Sequence, residues 1–169
     1  ENTDFKAIKL LKDTEIYKKI ALELKDKTTC FYLGRGLDYY TAMESALKLK
    51  EISYIYTESF AAGELKHGTI ALIEDGTPVF VIATQERLYE KVISNVKEVK
   101  ARGARVFEIT QLDNNLDVSD ERILIPSTIE ILMPIISVVA SQLIAYYASL
   151  AKGNDVDKPR NLAKSVTVE

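Results

Sequence analysis

Two carboxylates and one ammonium recur at helical spacing in the middle of the chain. Glu44, Lys48 and Glu51 are four and three residues apart, so a helix would place all three on one face. A carboxylate beside an ammonium in a partly dry cleft can act as a general base. The same spacing also suits a surface salt-bridge ladder worth about 0.3–0.5 kcal/mol per pair, and spacing alone favours the ladder.

The neighbours of this charged stripe favour a cleft instead. A helix that is apolar on most sides is mostly buried. Because unpaired buried charge is costly, we expect the stripe either to pair fully or to open into a cleft. Small or apolar residues occupy most of the remaining helix surface: Tyr40, Ala42, Met43, Ala46, Leu47, Leu49 and Ile52.

Two further residues could take part in chemistry. His67, the only histidine, follows a short predicted helix in AAGELKHG. It could shuttle protons because imidazole titrates near neutral pH, and a surface-loop histidine explains it about equally well. Arg35 lies between two glycines after the first predicted strand, where it could stabilise an anion or simply be solvated. Neither the Rossmann nor the P-loop spacing is present. One His, one Cys and no carboxylate cluster at ligand spacing lead us to expect no metal and no cofactor.

Alternating strands and helices must position these residues. Such alternation predicts a parallel sheet with helices on both faces, which binds ligands at the carboxyl ends of its strands. Gly153 is predicted to end the last helix. The predicted strands are 28–33, 54–57, 78–84, 105–109 and 122–125, and the predicted helices are 5–25, 39–51, 61–66, 88–102 and 129–152.

Composition excludes several classes of protein. With 169 residues, 47% apolar and 28% charged, the chain is typical of one soluble globular domain. A net charge of -3 predicts no attraction to nucleic acid or anionic membrane. The apolar run 129–150 contains Glu130 and Pro134 and is predicted to be a core helix, not a membrane span. The single Cys30, in a predicted buried strand, fits a reducing compartment, and we expect the cytoplasm. Because the chain begins with Glu1, we expect a piece of a longer protein.

Residues after Gly153, NDVDKPRNLAKSVTVE, change in character. They are polar and lack a clear period, which is typical of a frayed terminus. The ending SVTVE is nevertheless β-prone, so the tail could pack back onto the domain.

Four segments in order carry a family resemblance. GRG, ALKLKEISY, ESFAAGELKHG with the following ALIEDGTPV, and DVDKPRNLAKSVTVE resemble the isomerase half of the glutamine–fructose-6-phosphate aminotransferases, specifically its second sugar isomerase (SIS) domain. The resemblance spans nearly the whole chain. It implies a flavodoxin-like three-layer α/β/α sandwich with a five-stranded parallel sheet over 1–152. It also implies a C-terminal tail, 153–169, that folds over the active site.

The resemblance also implies a reaction and residue roles. Ammonia from glutamine joins fructose 6-phosphate, and the imine isomerises to glucosamine 6-phosphate. Glu51 would move the proton between C1 and C2, and Lys164 would form a Schiff base with the open-chain ketose. His67 would help to open the sugar ring in the neighbouring subunit's site, which implies a homodimer. The supporting residues would be Glu44, Lys48, Arg35 and Ala163.

Two parts of that enzyme have no counterpart in this sequence. These are the glutaminase domain and the first SIS domain, whose Ser/Thr-rich loop holds the sugar phosphate. We therefore expect the isolated module to be inactive. The alternatives are the phosphosugar-binding SIS module of a regulator, or a related deglycase or phosphosugar isomerase. A regulator needs neither a base at Glu51 nor a tail lysine at 164, and the ending NLAKSVTVE favours the aminotransferase.

Overall fold

A five-stranded parallel sheet forms the centre of the molecule. The computed structural model describes residues 3–113 and 118–162. Numbered along the chain, the strands of the sheet lie in the order 2-1-3-4-5, which is that of a flavodoxin-like sheet, as predicted. In the register of neighbouring strands, Phe31 is paired with Val79 and Phe80 with Phe107. The strands are β1 Thr29–Gly34, β2 Tyr56–Ala61, β3 Pro78–Ile82, β4 Arg105–Thr110 and β5 Glu121–Leu124.

In the described parts of the chain, five α-helices and three short 3₁₀ helices surround the sheet. The single helix predicted over 5–25 is wrong, because the chain forms two helices there. Asp13 Oδ1 accepts a hydrogen bond from the Glu15 N–H at 3.4 Å, and such local bonds compete with continued helix. The helices are α1 Thr3–Lys12, α2 Glu15–Leu24, α3 Leu37–Ser53, α4 Glu86–Lys100 and α5 Met133–Ala151, with 3₁₀ helices at Ala62–His67, Thr69–Leu72 and Glu130–Leu132.

Successive residues of each strand point to opposite faces, and each face is covered by helices. Tyr32, Phe80 and Phe107 lie under α2, α3 and α5, and their rings stack across three neighbouring strands with centroids 4.8 Å apart at each step. Phe31 and Val79 lie on the other face, under α4 and the 3₁₀ segment. The predicted three-layer sandwich is confirmed.

Helix α5 is the core helix that the sequence predicts. By length and composition alone, Glu130–Ala151 could cross a membrane. However, Ile136, Ala140 and Ile144 are fully buried in the same cluster as α2 and α3. The helix ends at Ala151, and Gly153 (φ 76°) follows its C-cap, with the Gly153 N–H bonding the Leu150 carbonyl. The next N–H, of residue 154, bonds the carbonyl of residue 149, which completes a Schellman motif and confirms the predicted cap.

Candidate active site

Helix α3 carries the charged stripe away from the carboxyl edge of the sheet. It begins at Leu37, just after β1 ends, and it ends at Ser53, just before β2 begins. Its 17 residues therefore span about 25 Å antiparallel to the strands. Glu51 lies near the amino edge of the sheet, whereas Arg35 lies at the carboxyl edge. The two residues do not share one site within a single chain.

The stripe is a paired charge cluster. Lys48 Nζ donates a hydrogen bond to Glu51 Oε2 at 2.9 Å and lies 3.6 Å from Glu44 Oε1. The Lys48 side chain is 33% exposed and that of Glu51 29%. The hydrogen bond to Glu51 raises the pKa of Lys48 above its ordinary value, although burial opposes the shift. Lys48 is therefore a charged partner of Glu51 at neutral pH and not a neutral amine.

The expectation that α3 is buried on most sides is wrong. Tyr40, Met43 and Leu47 are all exposed, Tyr40 to 69%. They form an apolar row beside the charged stripe, while Ala46 and Leu49 pack into the core. Within one chain, the stripe thus lies on an open surface beside apolar side chains and not in a closed cleft.

The first part of the tail lies on the C-terminal end of α3. The Ile52 carbonyl accepts hydrogen bonds from Ser149 Oγ at 2.8 Å and Asn154 Nδ2 at 3.1 Å. Further along, the Arg160 N–H donates to Tyr54 Oη at 2.9 Å. These contacts join the tail as far as Arg160 to the C-terminal end of the helix that carries Glu51. Ala163 and Lys164 lie outside the described residues.

Arg35 and His67 lie on the opposite side of the sheet from α3. Arg35 Nε and Nη2 donate to Asn95 Oδ1 of α4 at 3.3 and 3.2 Å. The guanidinium also approaches Gly63 so closely that a Cβ there would lie 2.8 Å from Nη2, so a larger residue would require the Arg35 side chain to shift. His67 ends the 3₁₀ helix that contains Gly63; its side chain is 73% exposed, with Nε2 3.8 Å from Glu64 Oε2.

Sequence reasoning missed the residues that fill the switch point between β1 and β3, where flavodoxin-like sheets bind ligands. The buried Asp38 carboxylate accepts the Thr84 N–H at 2.8 Å and the Thr84 hydroxyl at 2.5 Å. Burial raises the pKa of Asp38, and hydrogen bonds from Thr84 and Gln85 partly offset that effect. Gln85 Nε2 donates to the Arg35 carbonyl at 2.6 Å, and its Oε1 accepts from Arg87 Nη2 at 3.1 Å. The sequence does contain one signal for this site: Asp38 is an acidic residue in the first turn of α3, directly after a turn bounded by two glycines.

A cavity of about 370 Å³ lies at the opposite, amino edge of the sheet. Lys27 and Gly76 form part of its wall, where Lys27 Nζ donates a hydrogen bond to the Gly76 carbonyl at 2.8 Å. Its lining includes Asp26, Thr29, Asp75 and Thr77 but none of the stripe residues. Within residues 3–113 and 118–162, no group of three or more His, Cys, Asp or Glu side chains could hold a metal ion.

Comparison with known proteins decides the family. The sequence profile of the SIS domain family matches residues 23–152. The chain belongs to the SIS domain family. This SIS domain is 57% identical over 166 residues to a glutamine–fructose-6-phosphate aminotransferase (isomerizing) of Clostridium tetani. The match covers 97% of the chain and 27% of that relative, so the chain spans about a quarter of the length of the curated relative.

Solved structures support the same relationship. The C-terminal domain of a glucosamine-fructose-6-phosphate aminotransferase from Francisella tularensis superposes with a TM-score of 0.82 at 35% identity. That match covers 91% of this SIS domain and 43% of the other chain. A putative tagatose-6-phosphate ketose/aldose isomerase from Clostridium novyi shares the fold, with a TM-score of 0.85 at 24% identity over 98% of this chain and 46% of that one. The resemblance that the sequence motifs indicate is confirmed, and the aminotransferases it matches are enzymes by name.

Proposed function

We propose that this SIS domain is the C-terminal isomerase lobe of a cytoplasmic glutamine–fructose-6-phosphate aminotransferase. As part of the longer protein, it would convert fructose 6-phosphate and glutamine-derived ammonia to glucosamine 6-phosphate. The observation that carries the proposal is a paired carboxylate and ammonium, Glu51 and Lys48, on a helix whose C-terminal end binds the tail. The high identity to aminotransferases of this name supports the substrate class.

Glu51 is the base that moves the proton between C1 and C2 of the sugar. Its carboxylate already lies beside the positive charge of Lys48, which offsets negative charge that develops on the sugar during proton abstraction. The Glu44 carboxylate, one turn earlier in α3, lies 3.6 Å from the same ammonium and forms a second ion pair with it. A base and a fixed cation on one helix face suit abstraction of a proton next to a carbonyl or imine carbon.

Lys164 is the Schiff-base lysine of this proposal. A lysine attacks a carbonyl as the neutral amine, and the raised pKa of Lys48 keeps that nearer lysine protonated. Lys164 lies four residues beyond Arg160, which is held on Tyr54. Four residues span at most about 14 Å when fully extended. Tyr54 is itself three residues from Glu51, so the chain length allows the amine to reach the same sugar.

His67 serves the site of a second subunit. In one chain, Glu51 lies on the α3 side of the sheet, whereas the helix that ends at His67 packs on the α4 side. A histidine that is 73% exposed is available to another copy. We therefore propose a homodimer in which each His67 helps to open the sugar ring bound by its neighbour.

The sugar phosphate is held by the first SIS domain of the longer chain. The switch point of the present domain is occupied by its own Asp38 and Gln85, which hydrogen-bond Thr84, Arg35 and Leu37. This lobe therefore supplies groups from α3 and the tail and does not bind the phosphate at its own switch point.

Replacement of Glu51 in the full-length enzyme tests the proposal. Glu51→Gln keeps the shape of the side chain but cannot accept the proton, so glucosamine 6-phosphate formation should fall by about 10²–10⁴-fold. The matched Glu44→Gln variant should lose much less. If the domain were instead part of a regulator, the wild-type protein would bind fructose 6-phosphate but form no glucosamine 6-phosphate. Wild-type activity in Glu51→Gln would remove Glu51 from the mechanism.

A further inference from the structure

Tyr54 has an unusual position at the end of the helix that carries Glu51. It adopts the left-handed conformation (φ 61°), which is rare for a bulky residue, and its N–H still bonds the Lys50 carbonyl at 3.2 Å. Gly or Asn is the common choice at such a helix end. The contacts that Tyr54 makes with the tail explain why a tyrosine occupies this position.

Tyr54 contacts Arg160, 106 residues later in the chain, in two independent ways. Its hydroxyl oxygen accepts the Arg160 backbone N–H at 2.9 Å. Its ring lies under the Arg160 guanidinium, with 4.0 Å between Cζ and the ring centroid, a close cation–π contact. The Arg160 residue is otherwise exposed. One side chain thus holds both the backbone and the side chain of a single tail residue.

The other anchor of the tail lies much closer to the domain. Asn154 directly follows the Gly153 cap, and its amide donates to the Ile52 and Ser53 carbonyls at 3.1 and 3.5 Å. That contact fixes only the start of the tail. Tyr54 fixes a point six residues further on, after a turn in which Asp155 Oδ1 accepts the N–H groups of residues 157 and 158. The location of later residues therefore depends on Tyr54 more than on Asn154.

We propose that Tyr54 is a positioning residue, which holds the tail through Arg160 and so sets the distance between Glu51 and Lys164. This inference rests on the proposed function, since it assumes that Lys164 reacts with the sugar. Tyr54 itself touches no reacting atom. A small displacement of a reacting group can cost about 10²-fold in rate, so loss of this anchor should lower turnover without affecting substrate binding.

The experiment compares three variants of the full-length enzyme. Tyr54→Phe removes the hydroxyl acceptor, and Tyr54→Leu removes the ring as well. Tyr56→Phe is the matched control, because its hydroxyl bonds Glu58 at 2.7 Å, two residues away, and the residue is 55% exposed. Each variant is first compared with the wild type in melting temperature, so that a folding defect is recognised.

Two measurements separate docking of the tail from its role in the reaction. Amide hydrogen exchange at residue 160 reports docking and is independent of function. Borohydride trapping with fructose 6-phosphate reports the reaction: the Lys164 amine adds to the ketose carbonyl with loss of water, and hydride then reduces the C=N bond. Mass spectrometry measures the fraction of Lys164 that carries sugar.

We expect faster exchange at residue 160 in both Tyr54 variants, and kcat and trapping lower by about 3–30-fold at nearly unchanged KM and melting temperature. Tyr56→Phe should match the wild type. Unchanged exchange in Tyr54→Leu would overturn the docking, and faster exchange with wild-type kcat and trapping would overturn only the positioning role. Absence of trapped Lys164 in the wild type would overturn the Schiff base of the proposed function, and with it this role for Tyr54.

Discussion

The Lys48 ammonium donates a 2.9 Å hydrogen bond to the Glu51 carboxylate, one turn further along α3. The pair is neither fully buried nor fully exposed, with about a third of each side chain open to solvent. It therefore needs no complete desolvation and still lies in a less polar setting than bulk water. This relationship gives α3 a carboxylate with a built-in counterion, on a surface that another domain or subunit can cover.

Removal of the counterion should slow the reaction while Glu51 remains. In the full-length enzyme, Lys48→Met keeps much of the aliphatic stem but removes the charge beside the base. We expect kcat for glucosamine 6-phosphate formation to fall by about 10–10²-fold, because the cation no longer offsets charge that develops on the sugar. Lys50→Met, on the same helix but outside the stripe, is the control. Equal rates for the two variants would show that the Lys48 charge has no part in the reaction.

The isolated chain should make no product even when ammonia is supplied directly. Fructose 6-phosphate with an ammonium salt bypasses the need for a glutaminase, so the assay tests the lobe alone. We expect no glucosamine 6-phosphate by mass spectrometry, because Asp38 and Gln85 fill the switch point where a phosphosugar would bind. The full-length enzyme under the same conditions is the positive control. Product from the isolated chain would contradict the need for a second SIS domain.

The buried carboxylate of Glu108 should make a large contribution to stability through its partners. It accepts hydrogen bonds from the Tyr89 hydroxyl at 2.8 Å and the Ser119 hydroxyl at 2.9 Å, and Arg122 Nε lies 3.3 Å away. Arg122→Met leaves a buried charge without its cation, which should cost about 3–5 kcal/mol in the free energy of unfolding. Urea denaturation of the isolated chain measures this cost.

Two variants control that measurement. Arg102→Met removes an exposed arginine, and its effect should stay within about 0.5 kcal/mol. The double variant Glu108→Gln with Arg122→Met removes both charges and should recover part of the loss. If Arg122→Met were no worse than Arg102→Met, the buried pair would not contribute to stability.

Alkaline pH should destabilise the fold through groups that are buried in their neutral forms. Burial is the main cause that raises the pKa of Tyr17 to about 12, with a further contribution from Asp13, and burial also raises the pKa values of Tyr32 and Cys30. Above their ordinary pKa values, the unfolded chain loses these protons while the folded chain keeps them. The free energy of unfolding should therefore fall as pH rises from about 9 to 12, by up to about 1.4 kcal/mol per pH unit for each group.

Tyr17→Phe distinguishes this effect from general alkaline damage. The variant has no phenol to ionise at position 17, so its stability should fall less steeply with pH between about 10 and 12 than that of the wild type. Tyr146→Phe, at a site that is 42% exposed, is the matched control and should leave the slope unchanged. Identical slopes for Tyr17→Phe and the wild type would contradict the link between burial and pH.

The sequence predicted those parts of the fold that depend on local pattern. The strand at β3, the apolar core helix at α5 and the cap at Gly153 each have a local physical cause, and each appears in the structure. The break between α1 and α2 was missed because the apolar period continues through Asp13, where the structure instead forms a local side-chain hydrogen bond to the Glu15 N–H. The extent of β2 was wrong because Tyr54, predicted to begin the strand, takes the left-handed conformation that ends α3.

The candidate site was only partly predictable, for a related reason. The spacing of Glu44, Lys48 and Glu51 was sufficient to place them on one face, because a helix fixes that relation locally. No local pattern links Gln85 to Arg35 or Tyr54 to Arg160, since those contacts join residues 50 and 106 positions apart. They depend on tertiary structure, which periodicity alone does not specify.

The location of Glu51 and His67 on opposite sides of one sheet has a genetic consequence. Under the proposed sharing, two inactive alleles, Glu51→Gln and His67→Ala, should complement each other when expressed together. A mixed dimer would combine both defects in one site and leave the other intact. With random pairing, about a quarter of all sites would then be functional, enough to rescue growth that neither allele supports alone.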